Sequence, residues 1–235
     1  MIPVKPQPEP RPPGYDFDQD VRRRGQDAIR QLAGLAPRHK WPGPKIKKQV
    51  ASESKVTHSH LRDYDYWTRA MPALHERYAG FCAYLARRIE HVDTPTTDHF
   101  VALRNATDPK LAYEWTNYRL ASGLMNARKS DFPDVLDPFE IGAGWFALNL
   151  GTFETEIGPA APREAHEAIE RTIERLGLRT RPVVLTRRRA AEQYWSPPTG
   201  RPPLPLWALE DREPFVALEL RRQGRLNPVD EADTQ

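Results

Sequence analysis

Apolar positions along this chain recur mostly at helical spacing and only briefly at strand spacing. Residues 15–35 (YDFDQDVRRRGQDAIRQLAGL) read as a short helix ending near Gly34. From Tyr64 to Tyr78, Trp67, Met71, Leu74 and Tyr78 recur at three and four residues, which predicts a helix with one buried face and a stop at Gly80. Pro72 marks a break or a first turn within it. Residues 87–103 are β-prone around the turn Asp93-Thr94-Pro95 and read as two short strands, the second being TTDHFVA. Residues 104–114 read as a loop, 118–129 (YRLASGLMNARK) as a helix and 145–150 (WFALNL) as a strand. Further helices are expected at about 162–177, 184–195 and 213–223, and no internal repeat is apparent.

Residues 1–14 contain six prolines and are expected to form an extended arm, lying along some surface and without a core of its own. The pattern suggests three segments: a proline-rich and basic arm (1–60), a mixed core (61–150) and a helical extension (151–235). The fold class expected is α+β.

Composition narrows the picture. The chain has 235 residues, 39% of them apolar and 29% charged, with 24 prolines and a net charge of +3. One cysteine, Cys82, rules out an intramolecular disulfide and a multi-cysteine zinc site. No signal-like segment and no apolar run of membrane-spanning length stands out, so a cytoplasmic protein with no membrane partner is expected. The stretch RHKWPGPKIKKQ (38–49) places Lys45, Lys47 and Lys48 beside Arg38, Lys40 and Trp41 with no acidic residue. That mixture suits a phosphate backbone, although a solvated loop fits it equally well.

The candidate chemistry lies mid-chain, in the order Asp98-His99, Asn117, Asn126, Lys129. Phosphodiester hydrolysis needs a nucleophile, charge neutralisation and a stabilised leaving oxygen. A neutral imidazole at His99 takes a proton from water near neutral pH. Asp98 and Asn126 offer hard oxygens for Mg²⁺ or Mn²⁺. Asn117 can fix the backbone or the other nitrogen of His99, and Lys129, one helical turn after Asn126, can face the same phosphate. Each residue alone also has an ordinary reading, as a turn residue or a surface charge. His58 and His60 alternate as metal ligands might, in a polar segment. Asp137 reads as a turn residue before Pro138, and His75, His91 and His166 are expected to be exposed. The arginines of 171–189 read as a solvated helical face or as a further nucleic-acid contact.

The stretches CAYLARRIEHVDTPTTDHF and LAYEWTNYRLASGLMNARK resemble the HNH nucleases, whose ββα-metal fold commonly reads CxYC, then DH, then W-x-N, then CxxCN-xx-K. The resemblance covers about residues 70–150. It implies a ββα-metal core set in helical flanks, with His99 as base, Asn117 as the middle asparagine and Asp98 and Asn126 as metal ligands. It also implies Lys129 as a phosphate contact, with Arg119 and Arg128 as nucleic-acid contacts beside it. Relatives of this kind often bind zinc through two Cys-x-x-Cys pairs. Here those positions hold Cys82, Leu85, Ser122 and Met125, so no structural zinc is expected, and Leu85 and Met125 should be buried.

The function expected is a metal-dependent endonuclease acting on nucleic acid, DNA before RNA. A role in bacterial anti-phage defence or mobile-element biology, beside a partner ATPase or sensor, follows by analogy alone. Two other readings fit the same residues: a non-catalytic nucleic-acid-binding scaffold, and an RNase or nonspecific nuclease toxin.

Overall fold

The computed structural model describes residues 1–90, 94–197 and 200–232. It is of the α+β class, with helices and two small antiparallel sheets. Its contacts divide the chain into two units. One comprises residues 6–80 and 91–133, the other residues 1–5, 81–90 and 134–235. This division follows packing rather than chain order and differs from the three consecutive segments that the sequence suggests.

The proline-rich arm has no helix or strand through residue 14 and is divided between the units: residues 1–5 belong to the second, where the Val4 amide donates to the Pro138 carbonyl at 2.8 Å, and the first unit opens with residues 6–14. Residues 6–14 lie along the first unit: the Gln7 amide donates to Tyr78 Oη at 3.0 Å, and Trp115 Nε1 donates to the Gln7 carbonyl at 2.9 Å. Arg22 clamps it further, pairing with Glu9, Asp18 and Glu114. A π-type turn at Asp18–Arg23 runs into helix α1 (Arg24–Leu32). Gly25 is required there by packing, because a Cβ would sit 2.1 Å from the ring of Tyr113.

After α1 the basic segment is held by one carboxylate. Asp27, 1% exposed, accepts from the Arg38 amide (2.7 Å), the His39 amide (3.0 Å) and Trp41 Nε1 (2.9 Å), with His39 Nδ1 at 2.8 Å. Burial would raise this carboxyl, but these donors outweigh it and keep it below the usual carboxylate range. Trp41 is therefore committed to the fold: its N–H goes to Asp27, and Arg24 lies 4.3 Å from its ring centre. Lys45, Lys47 and Lys48 are exposed beyond it.

The short helix α2 (His58–Leu61) follows, then a 3₁₀ turn at Tyr66–Ala70 and helix α3 (Met71–Arg77). Pro72 falls in the first turn of α3, where its missing N–H has no partner to lose. Gly80, at φ +71°, ends the element by donating to the His75 carbonyl at 2.8 Å.

Strand β1 (Pro95–His99) pairs antiparallel with β2 (Tyr118–Ser122), with Asp98 opposite Arg119 and His99 opposite Tyr118. Helix α4 (Gly123–Lys129) follows β2 directly. Both α3 and α4 pack on this ladder. Two expectations are corrected here. The strand TTDHF pairs with β2 and not with residues 87–90, which form no strand; residues 91–93 lie outside the described residues. The segment 118–129 is not one helix but strand then helix. Tyr118 through Ala121 are buried one after another, so the strand lacks the alternation that marks a half-exposed one. The Ser122 side chain then caps α4, accepting from the Met125 amide at 3.4 Å.

The second unit holds strands β3 (Phe146–Leu148) and β4 (Thr155–Ile157), paired antiparallel, and helices α5 (His166–Leu176), α6 (Arg181–Trp195), α7 (Leu206–Arg212), α8 (Pro214–Arg222) and α9 (Pro228–Ala232). Ile169, Ile173 and Leu176 form the buried stripe of α5. The buried Glu219 of α8 accepts from the Leu148 amide at 2.9 Å, and Gln223 returns a bond to the Leu148 carbonyl at 2.8 Å, which ties α8 to β3. Cys82 and Leu85 are buried in this unit, as Met125 is in the other. Among the described residues no helix is long and apolar enough to cross a membrane.

Asp27→Ala is expected to cost about 2–4 kcal/mol, because several donors lose a charged acceptor at once. Urea denaturation measures the cost, and limited trypsin digestion should show new early cuts at Lys40 and Lys45. A variant with unchanged stability and an unchanged digest would mean that Asp27 does not hold the segment.

Candidate active site

The end of β1, the loop 100–117 and α4 build one cleft of about 320 Å³. Asp98, His99 and Asn126 all line it, as the sequence order predicted, together with His58, Trp67 and Arg104.

Asn117 closes the loop on itself. Its Oδ1 accepts from the Val101 amide at 2.8 Å, and its Nδ2 donates to the carbonyls of Val101 and Leu111, both at 3.1 Å. Its own carbonyl accepts from the Phe100 amide at 2.8 Å. It acts on the backbone and makes no bond to His99, so it is a positioning residue rather than a catalytic one.

The loop in turn sets the imidazole. His99 Nε2 lies 3.0 Å from the carbonyl of Ala112, which also accepts from Tyr118 Oη at 2.7 Å. A carbonyl can only accept, so Nε2 carries the proton and Nδ1 keeps the lone pair. Trp67 and Tyr118 stand edge-on to the ring, at 5.1 and 5.2 Å between centroids. Burial pushes the imidazole down to about 4, with Lys129 and His58 adding to the effect and the Ala112 bond opposing it. His99 is therefore neutral at physiological pH.

Lys129 departs from expectation. It has no solvent exposure, donates to the His99 carbonyl at 2.9 Å and lies 3.4 Å from Asp98 Oδ1, itself 2% exposed. The ammonium is turned inward against the end of β1 and does not reach a phosphate at the surface. Arg119 is likewise buried, stacked 5.1 Å over Phe100 and donating to the carbonyls of Thr116 and Tyr118. Neither residue serves as the nucleic-acid contact expected of it. Arg128 is half-buried and does not line the cleft.

A carboxylate and a carboxamide on one cleft suit a hard divalent cation that keeps most of its water. The Asn126 side chain makes no hydrogen bond among the described residues, so its oxygen is uncommitted. Asp98 already faces Lys129, which reduces the negative charge it offers. Among the described residues no group of three or more His, Cys, Asp or Glu side chains is placed to hold a metal; the expected ligands Asp98 and Asn126 share the cleft with Asp131, which pairs with Arg104, and with His58.

The cleft also contains residues that sequence reasoning did not select. His58, from α2, lines it, whereas His60 is spent locally, 2.7 Å from Thr57 Oγ1 and accepting from the Thr57 amide at 3.1 Å. Their alternation in sequence was the available signal. Arg104, exposed and 3.6 Å from Asp131, gave none, because its loop has no periodicity. His75 and His166 are half-buried rather than exposed, and His91 lies outside the described residues. In comparisons with known proteins, no family model, no curated protein and no solved structure matches this chain.

Two stability predictions follow from this geometry. Lys129→Met should lower stability by about 3–5 kcal/mol, since it leaves the Asp98 charge buried without its cation. Equal melting temperatures for variant and wild type would refute the pairing. The second concerns pH. The folded pKa of His99 lies below its unfolded value, so its neutral form contributes stability above about pH 6.5, and this is lost as pH falls toward 4. His99→Asn should flatten the stability curve in that window by on the order of 1–3 kcal/mol. Parallel curves for the two proteins would show that His99 does not titrate there.

Proposed function

We propose that this chain is a metal-dependent nuclease of the HNH type, hydrolysing phosphodiester bonds, with DNA as its preferred substrate. The observation that carries the reading is the convergence of Asp98, His99 and Asn126 on one cleft, in a strand–loop–strand–helix order with Asn117 closing the loop.

On this reading His99 Nδ1 accepts the proton of the attacking water, and Ala112 holds the opposite nitrogen so that the ring presents its lone pair. Asp98 and Asn126 would hold Mg²⁺ or Mn²⁺, which when bound supplies positive charge against the phosphate and the leaving oxygen. Arg104, 3.6 Å from Asp131, adds a positive charge along the cleft. An imidazole near 4 is a weak base, and catalysis is most efficient with a pKa near the working pH. The negative charge of a bound phosphodiester supports the imidazolium and raises that pKa in the complex.

The test is cleavage of supercoiled plasmid, single-stranded DNA and RNA across a Mg²⁺ titration, with EDTA controls. His99→Ala should lose about 10²–10⁴-fold in rate at every metal concentration, as removal of a general base does. Asn126→Ala should regain activity at high Mg²⁺ or Mn²⁺. The acid limb of kcat should lie at higher pH than that of kcat/KM, because the former reports the complex and the latter the free protein. Activity that survives EDTA, or full activity in His99→Ala, defeats the proposal. Binding without cleavage in the wild type would point to the scaffold instead.

A further inference from the structure

The second unit contains a cleft of its own, of about 340 Å³, with an unusual density of arginines. Arg87 and Arg88, Arg189 of α6 and Arg212 at the end of α7 all line it. One face of α6, Thr186, Arg189, Ala190 and Gln193, is presented to it at helical spacing. Leu204 adds an apolar wall, with the buried Leu209 beneath the cleft.

The four guanidiniums are not equally occupied. Arg87 pairs with Glu213 at 2.7 Å and Arg88 with Asp211. The Arg88 amide also donates to the Arg212 carbonyl at 3.0 Å, which fixes the two arginine-bearing segments together. Arg189 and Arg212 are exposed, and among the described residues neither side chain makes an ion pair or hydrogen bond. Two guanidiniums without an ion pair among the described residues thus face a cleft that holds four arginines against two carboxylates, Glu90 and Glu213, the latter already paired with Arg87. The buried Arg187 acts on Glu213 as well, adding to the positive field.

We infer that this cleft binds a nucleoside phosphate, with Arg189 and Arg212 on the phosphates and Leu204 against the base. Arginine forks match phosphate oxygens in geometry and charge. The volume is that of a small-molecule site and too small for a duplex, and its mixture of apolar wall with a few convergent polar groups is what such sites use. Thr186 and Gln193 supply hydrogen-bonding groups beside the arginines. The inference does not depend on the nuclease reading, since every residue it uses lies in the other unit.

Calorimetric titration of ADP and of inorganic pyrophosphate into the full chain, in EDTA so that no divalent metal takes part, tests it. Both should bind saturably, ADP more tightly because the apolar wall adds contact. Arg189→Ala/Arg212→Ala should weaken both by at least about tenfold. Both side chains are exposed and unpaired, so the double variant should melt with the wild type. Arg181→Ala, on α6 but outside the cleft, should bind as the wild type does. Absence of saturable ADP binding, or an equal loss in Arg181→Ala, overturns the inference. So does duplex DNA binding here while ADP does not, which would make the cleft a nucleic-acid contact.

Discussion

A lysine ammonium with no solvent exposure is the constraint on which the candidate site depends. Lys129 closes α4, and its charge needs partners that the protein interior must provide. It finds the His99 carbonyl at 2.9 Å and Asp98 at 3.4 Å, both at the end of β1. The last turn of α4 is thereby fixed to the residues that carry the candidate chemistry. Asn126 lies one turn earlier on the same helix, so the contact that anchors Lys129 also brings Asn126 to the cleft. Removing the lysine would therefore disturb the placement of Asp98, His99 and Asn126 together.

The second constraint is the loop between the strands. Asn117 satisfies backbone groups of Val101 and Leu111, and the closed loop presents the Ala112 carbonyl to both His99 and Tyr118. A residue that never touches the imidazole thus sets its tautomer. Trp67 and Tyr118 flank the ring, and the same burial that locks it keeps it unprotonated. Orientation, tautomer and protonation state therefore share one cause, the packing of an aromatic cage around a loop that its own asparagine holds shut.

What could be read from the sequence follows from which residues act locally. The helices around Leu74, Ile173 and Ala217 obey a 3.6-residue apolar period, and their stops use local signals at Gly80 and Gly177. The polar order Asp98, His99, Asn117, Asn126 was legible because each belongs to a short element at a fixed place in the chain. Strand β2 was not, because it is buried on both faces and its residues are also helix formers. The pairing of β1 across the long loop 100–117 leaves no periodic trace either. Lys129 and Arg119 were misread for a related reason: a cation in sequence looks solvated, and only tertiary contacts reveal that its charge is spent inside. His58 reaches the cleft from a segment distant in sequence, so no spacing links it to the site, and Arg104 lies in the loop after β1, which has no periodicity to single it out.

Burial of the Asp98–Lys129 pair is not explained by stability alone. Taking two charges out of water costs several kcal/mol per ion, and apolar side chains of like volume commonly serve a core as well or better. A pair retained at the end of β1, with one carboxylate lining a cleft beside an uncommitted amide and a neutral imidazole, is better accounted for by what it positions. Lys129 places a cation 3.4 Å from a carboxylate that is nearly solvent-free, which offsets part of the cost of burying it. It also limits the charge left for a cation, which favours an ion that binds with the phosphate of a substrate over one held permanently by the protein alone. On the proposed function, the buried lysine and the sparse ligand set are two sides of one design, a cation site completed only when substrate supplies the remaining oxygens.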